Sequence, residues 1–530
     1  MNEMKKIRIG KTVIETLTQG MYEDARFIFR EYIQNSADQI DKAIEMGILK
    51  NRKEGKININ IDATLCDIIF EDNATGIAEN DVYNVLGNIA LSNKDRTKDK
   101  GFRGIGRLGG LGYCNKLQFE TSYKGEPSKT IMIWDAKSLQ HKLFDKNIKH
   151  DASDIVESVI ELKTEQEDIE KHYFKVHLIG VNNEYLLNKD NIRDYLSMVA
   201  PVPYQTQFIF KSKIYDKSNE LKNNIDEYSI YLNTDQIFKP YTTYIYEYDN
   251  KQKKCIDEIF DINFFEINDD SNYLIAWGWY GLSRFEKQIP SIPNYYRGIR
   301  LRKGNIQIGN EQTLVNKKLH REDRGNHYFF GEIFCTHSDL IPNSRRDYFN
   351  ENEILKLFEI KIKDLFHSTL YHLYHKANDI KNAYRKINKL DEIQSEFREK
   401  IVKGFVEGEK EELKQKIETA KKEAESAQKT IQKISNDIEK SPDEKNKSLE
   451  VILKKIEQTH IISKRCQNNN DADNESNYEE EDKIKYRTDN LSTLTKQERK
   501  FLSKIFSIIK KTLIPQQAEE LIQKIEEELK

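Results

Sequence analysis

Between residues 22 and 46, apolar positions recur at steps of three and four. Phe29, Ile33, Ala37, Ile40 and Ile44 form one stripe, which predicts a helix packed on a sheet and stopped at Gly47. Residues 1–50 as a whole read as helical. Lys56-Ile57-Asn58-Ile59-Asn60-Ile61-Asp62 then alternates strictly, the pattern of a strand with one buried face. Ile68-Ile69-Phe70 predicts a second strand, running into Glu71-Asp72-Asn73-Ala74-Thr75-Gly76-Ile77. Residues 81–94 predict a short helix with a polar exit. Runs at 117–121, 130–134 and 172–181 read as strands, and 187–200 reads as a helix. Pro201-Val202-Pro203 punctuates the chain there, so a first domain is expected over 1–203.

A second α/β domain is expected over 204–375. Its strand-like runs are 207–210, 243–246 and 273–280, followed by a strand, a turn and a strand over 298–309. Then the period changes. Leu413, Ile417, Ala420, Ala424, Ala427, Ile431, Ile434 and Ile438 alternate steps of four and three. This is a heptad seam with Lys and Glu on its flanks, ending at Ser441-Pro442. Leu449, Ile452 and Ile456 form a second series, so the pattern admits a helical hairpin or a two-chain coiled coil. A coiled coil is expected over 376–466, a flexible acidic linker over 467–490, and a helical segment over 491–530, broken near Pro515.

Composition narrows the class. A net charge of −3 over 530 residues, 33% of them charged, leaves no global basic field for nucleic acid, so such binding would need local patches. Five cysteines without a CxxC pair argue against a zinc site or a disulfide framework and fit a reducing cytosol. The N-terminus lacks a signal-like apolar core, and no apolar run approaches bilayer length. A cytoplasmic protein without a membrane partner is expected.

The chemistry concentrates early in the chain. Glu31, Asn35 and Asp38 fall at i, i+4 and i+7, opposite the apolar stripe. An acid, a neutral oxygen ligand and a second acid on one rigid face suit Mg²⁺, a nucleotide and an attacking water. Asp72, at a strand end, can accept a hydrogen bond from an exocyclic amine such as that of adenine. Gly76 lets the backbone approach a flat ring. The charged stretch 93–100 suits a lid. Residues 101–112 hold six glycines, whose N–H groups can face an anion, with a helix from Leu111 to Cys114 aiming its positive end at phosphate. No Gly-Lys-Ser/Thr closes this loop, so it is not a P-loop, and no βαβ unit precedes it as in a dinucleotide site. A solvated face, a strand-end turn or a glycine-rich turn would each explain one segment. Their order along the chain carries the functional reading.

That order resembles the GHKL ATPases: gyrase B, the ninety-kilodalton heat-shock chaperones, histidine kinases, MutL and MORC. Glu-x-x-x-Asn-x-x-Asp is met by Glu31, Asn35 and Asp38. Asp-x-Gly-x-Gly is met by Asp72 and Gly76, with Ala74 replacing the first glycine. Gly-x-x-Gly-x-Gly is met by Gly101, Gly104 and Gly106. LGNIALSNK (86–94) is similar to the chaperone segment after the second motif, GFRG (101–104) to MutL, and Thr121 falls where the family has a threonine near adenine. DLIPNSRRD (339–347) looks like a chaperone middle-domain loop whose arginine reaches the γ-phosphate; Arg346 aligns with it and Arg345 is adjacent. The Arg107 to Gly112 run departs from the chaperone pattern.

The resemblance implies a two-layer α/β sandwich, the Bergerat ATP-binding fold, followed by a transducer-like α/β domain and a helical C-terminal region. It implies a Mg²⁺-dependent ATPase with Glu31 as the base, Asn35 on Mg²⁺ and Asp72 on adenine. Further nucleotide contacts are implied at Asp38, Gly76, Ser92, Asn93, Gly101, Phe102, Arg103, Gly104, Ile105, Gly106 and Thr121, with Arg346 on the γ-phosphate. A homodimeric clamp or switch acting on a protein client or DNA is implied. An ATP sensor in bacterial antiviral defence and a non-hydrolysing nucleotide-binding module are the alternatives. A histidine kinase is excluded, because no histidine precedes His141.

Overall fold

The computed structural model describes residues 10–15, 24–89, 106–145, 151–441, 443–468 and 485–530. The chain forms two compact units: Met1–Ser283 with Lys287–Ser368, and Arg284–Glu286 with Thr369–Lys530.

The first unit is built around a sheet of eight strands: β1 (Lys56–Asp62), β2 (Asp67–Asp72), β3 (Lys116–Ser122), β4 (Ser128–Asp135), β5 (Ile160–Gln166), β6 (Tyr173–Ile179), β7 (Ser229–Leu232) and β8 (Asp235–Gln236). Their order is β5-β4-β3-β6-β2-β1-β7-β8. Alternation does what the pattern predicts. Ile57, Ile59, Ile61, Phe70, Leu117, Phe119 and Trp134 are buried under helices α1 (Phe27–Glu45) and α2 (Lys189–Val199) and the helix Ala136–Phe144. Phe29 and Tyr32 of α1 set their rings 5.1 and 4.8 Å from Phe70. The other face is polar, with Glu120 between Lys129 and Lys175 at 3.5 and 3.7 Å. This is a two-layer α/β sandwich.

The chain after residue 203 returns to this sheet. β7 pairs in parallel with β1, Ile57 opposite Ile230, so the first sheet extends past the boundary expected at Pro203. The run 207–210 is a turn leading into the helix Lys211–Glu220, where a strand was expected. Its alternation arises because Phe208 anchors the turn, its ring 5.8 Å from Tyr241 and 5.6 Å from Trp279.

A hairpin, β9 (Tyr244–Asp249) and β10 (Gln252–Glu258), leads to a second sheet. Its strands are β11 (Asp261–Asn268), β12 (Leu274–Leu282), β13 (Gly298–Lys303), β14 (Ile306–Ile308) and β15 (Phe330–Cys335), in the order β11-β12-β15-β13-β14. The expected strand, turn and strand over 298–309 are β13 and β14, joined through Gly304 and Asn305 at φ +55° and +58°. Beneath this sheet the side chains of Lys239, Arg302 and Glu332 are fully buried together. Helix α3 (Glu353–Leu365) closes the unit, its first turn capped by Asn352, which accepts from Leu355 N at 2.8 Å.

The second unit is helical: α4 (Tyr371–Lys403), α5 (Glu409–Lys440), α6 (Glu444–Asn468), α7 (Lys496–Thr512) and α8 (Pro515–Glu528). The heptad seam of α5 closes within the chain, against α4 and α6. Leu413, Ala420, Ala424, Ala427, Ile434 and Ile438 are buried there, as are Leu449, Ile452 and Ile456 of α6. Within the chain α5 packs chiefly against α4, and α6 packs against both. Pro515 starts α8, where its missing N–H costs nothing. Phe506 and Ile522 of the last two helices pack with Val406. The acidic stretch 469–484 lies outside the described residues. Among the described residues no helix is long and apolar enough to cross a membrane, and Cys66, Cys114, Cys255 and Cys335 are free thiols.

Candidate functional site

Helix α1 carries one wall of the site. Glu31 is buried, and a Cβ at Gly106 would overlap its carboxylate. Only glycine lets the backbone lie so close. The glycine-rich segment is held on α1 by Tyr32, whose hydroxyl donates to the Arg107 carbonyl at 3.0 Å and accepts from Gly110 N at 3.2 Å.

This segment does not start a helix at Leu111, as the sequence suggests. It forms a 3-10 helix over Gly106–Gly112 and then enters β3. Side chains at Gly109 and Gly110 would press on the Phe27 ring and the Tyr32 hydroxyl, 2.8 and 2.6 Å away. The glycines therefore serve a close backbone-to-helix contact as well as any anion.

Glu31 Oε1 lies 3.5 Å from Arg30 Nη2 and 3.5 Å from Arg346 Nε, and makes no hydrogen bond. Arg346 comes from the loop after β15. It is 8% exposed and sits at φ +55°, a conformation few side chains adopt. Its carbonyl accepts from Gly309 N at 2.8 Å, which fixes that turn. Arg345 is exposed; its carbonyl faces Arg30 Nη2 at 3.4 Å. Asn35 is half-buried and Asp38 buried, one and two turns beyond Glu31. Gln34 on the same helix is fully buried, and neither of its amide heteroatoms has a hydrogen-bond partner.

Asp72 ends β2 and is 1% exposed. Its Oδ1 accepts from Ala74 N at 3.1 Å, and the Ser36 hydroxyl of α1 also bonds it. Burial raises its pKa, against the lowering effect of these two bonds, and the result is about 7. Gly76 stands at φ +66°, where a Cβ would overlap the Ser122 carbonyl, so glycine is required. Ala74 is outside the left-handed region and tolerates its methyl. Thr121 Oγ1 accepts from Ile77 N at 2.8 Å and donates to the Tyr173 carbonyl at 3.2 Å, joining the Asp72 turn to β3 and β6.

Glu31, Gly106 and Arg346 are thus brought together, and Asp72, Gly76 and Thr121 form a second group. Ser92, Asn93, Gly101, Phe102, Arg103, Gly104 and Ile105, with the stretch 93–100, lie outside the described residues. Sequence reasoning passed over Arg30, Gln34, Ser36 and Arg107. Arg30 had a signal, being a cation adjacent to the motif glutamate. Ser36 had one too, being a hydroxyl directly after Asn35 within the first motif.

Residues 24–168 match the family model described as histidine kinase-, DNA gyrase B-, and HSP90-like ATPase. This part of the chain is similar to the GHKL ATPases. Within that superfamily it resembles the ninety-kilodalton heat-shock chaperones. The chaperone protein HtpG of Buchnera aphidicola subsp. Acyrthosiphon pisum is 23% identical over 202 residues, 35% of this chain and 32% of the relative. HtpG of Rickettsia akari is 23% identical over 203 residues, again 35% and 32%. HtpG of Psychrobacter cryohalolentis is 28% identical over 152 residues, 25% of this chain and 23% of the relative. The chain spans about a third or less of the length of these curated relatives.

Proposed function

We propose that the protein hydrolyses ATP and uses the cycle as a conformational switch, working as a homodimer on a protein or DNA client. The observation that carries this reading is the meeting of Glu31, on helix α1, and Arg346, from the loop after β15, at 3.5 Å. Such a pair suits a water-activating base facing a cation that steadies the γ-phosphate.

Glu31 orients the attacking water and takes its proton. Its Oε1, buried without a hydrogen-bond partner, is available to a water. Arg346 offers a permanent charge and a planar fork to phosphate oxygens. Asp72 accepts from the adenine amine, Gly76 admits the ring, and Thr121 holds that turn. The third-motif backbone at Gly101, Gly104 and Gly106 donates to the phosphates, with Ser92, Asn93, Phe102, Arg103 and Ile105 alongside. Asn35 holds Mg²⁺, with Asp38 supporting the same face. The ion neutralises phosphate charge when bound, and an amide oxygen beside buried carboxylates is the hard donor set it prefers.

Calorimetry with ATP and Mg²⁺, paired with a turnover assay, tests the proposal. The wild type is expected to bind and hydrolyse ATP. Glu31→Ala is expected to keep binding and lose turnover by about 10²- to 10⁴-fold. Unchanged turnover in that variant refutes the base, and absence of binding by the wild type refutes the ATP site.

A further inference from the structure

Arg107 directly follows the last glycine of the third motif. Its Nη2 donates to the Asn88 carbonyl, and its Nε is buried with no hydrogen-bond partner. No carboxylate among the described residues pairs with it. The other two arginines near Glu31 differ in this respect, since Arg30 and Arg346 both stand 3.5 Å from that carboxylate. The backbone at Arg107 is pinned by the Tyr32 hydroxyl, and the preceding Gly106 lies against Glu31. The backbone that carries the guanidinium is therefore fixed beside the base.

A half-buried cation whose Nε is sealed from solvent and has no counter-charge among the described residues is costly. Burial lowers this guanidinium to about 10, so it still carries its charge at neutral pH. A fold tolerates that cost where a ligand brings the missing negative charge. Beside a base that activates water for phosphate chemistry, the ligand group of matching charge is the phosphate chain.

We propose that Arg107 binds the polyphosphate of the nucleotide, donating through Nε while Nη2 stays on the Asn88 carbonyl. This rests on the reading of the pocket as an ATP site and names the residue that distinguishes a nucleoside polyphosphate from the bare nucleoside. The competing role is a purely structural tether of the Asn88 turn.

The experiment is calorimetry on the full chain with adenosine, ADP and a non-hydrolysable ATP analogue, each with Mg²⁺, at two salt concentrations. Arg107→Gln should weaken ADP and the analogue by about ten- to a hundredfold, the range for a lost hydrogen bond to a charged group. Adenosine affinity should stay within about twofold, and the salt dependence of analogue binding should flatten. Arg107→Lys should recover part of the loss. Undiminished polyphosphate affinity in Arg107→Gln overturns the proposal. So does a parallel loss of adenosine and analogue, which marks a tether. A wild type that binds no ATP, indistinguishable from Asp72→Asn, instead sinks the underlying reading and this inference with it.

Discussion

The first unit holds two buried groups of charges, and they are finished to different degrees. Under the second sheet, Glu332 accepts from Lys239 at 2.8 Å, from Tyr241 at 3.2 Å, and from Arg302 and Tyr204. Lys239 also donates to Asn305 Oδ1 at 2.8 Å, and Trp279 Nε1 to the Tyr204 hydroxyl at 3.2 Å. Of the polar side-chain atoms in Lys239, Arg302 and Glu332, only Arg302 Nη2 lacks a hydrogen-bond partner. Around Glu31, by contrast, Glu31 Oε1, both Gln34 amide heteroatoms and Arg107 Nε have none. A sealed, almost fully bonded cluster specifies one packing of a core. A cluster with several open valences among the described residues leaves room for a ligand to complete it, as the proposed ATP site requires.

Removing a charge should therefore have opposite signatures in the two places. Glu332→Ala leaves Lys239 and Arg302 buried and uncompensated, and should cost about 3–5 kcal/mol, read as a loss of midpoint in urea. Burial pushes the Glu332 carboxyl up, but Arg302 and Lys239 outweigh it and bring it down to about 2. The stability it contributes is present above the ordinary carboxylate range and is lost as pH falls toward 2. Arg346→Ala should leave the urea midpoint nearly unchanged and slow turnover by about 10²- to 10³-fold. A large stability loss with normal turnover would place Arg346 with the sealed cluster.

Asp72 sharpens the contrast within the site itself. Its pKa is raised from 3.8 to about 7, so its favourable contribution is complete below about pH 4 and disappears as pH rises through 7. Asp72→Asn should melt above the wild type by about 2–4 °C at pH 8, with a smaller difference at pH 5, while losing ATP binding. In the wild type, ATP affinity should rise between pH 6 and pH 8, because only the ionised carboxylate accepts freely from the amine. Flat melting differences across that range would remove Asp72 from the set of strained site residues. The smallest effect is expected at Arg345, which is exposed. Arg345→Ala should stay within about twofold of wild-type turnover, since its side chain is exposed and the carbonyl that faces Arg30 survives the change.

Regular periods made the first layer legible. Ile57, Ile59 and Ile61 announce β1, the stripe from Phe29 to Ile44 announces α1, and the heptads from Leu413 to Ile438 announce α5. Local spacing also placed Glu31, Asn35 and Asp38 on one helix face. Other features depend on contacts distant in the chain. β7 is four residues long and is held as a strand by β1 on one side and β8 on the other. Lys239, Arg302 and Glu332 each look solvated in sequence, and only the fold shows them facing one another. Arg107 reads as an ordinary polar residue in a glycine run until its lack of a counter-ion is visible. The loop resemblance put Arg346 ahead of Arg345, and only the fold shows that the first is buried and the second exposed.

The parallel pairing of β7 with β1 bears on how the molecule can be dissected. A fragment ending at residue 203 would strip β7 and β8 from the sheet and leave the unbonded rim of β1, with Ile57, Ile59 and Ile61 along it, open to other chains. Extending the cut past Ile237, itself buried in that core, keeps the rim covered. The shortest soluble piece that keeps this sheet intact should thus run some thirty-five residues beyond Pro203.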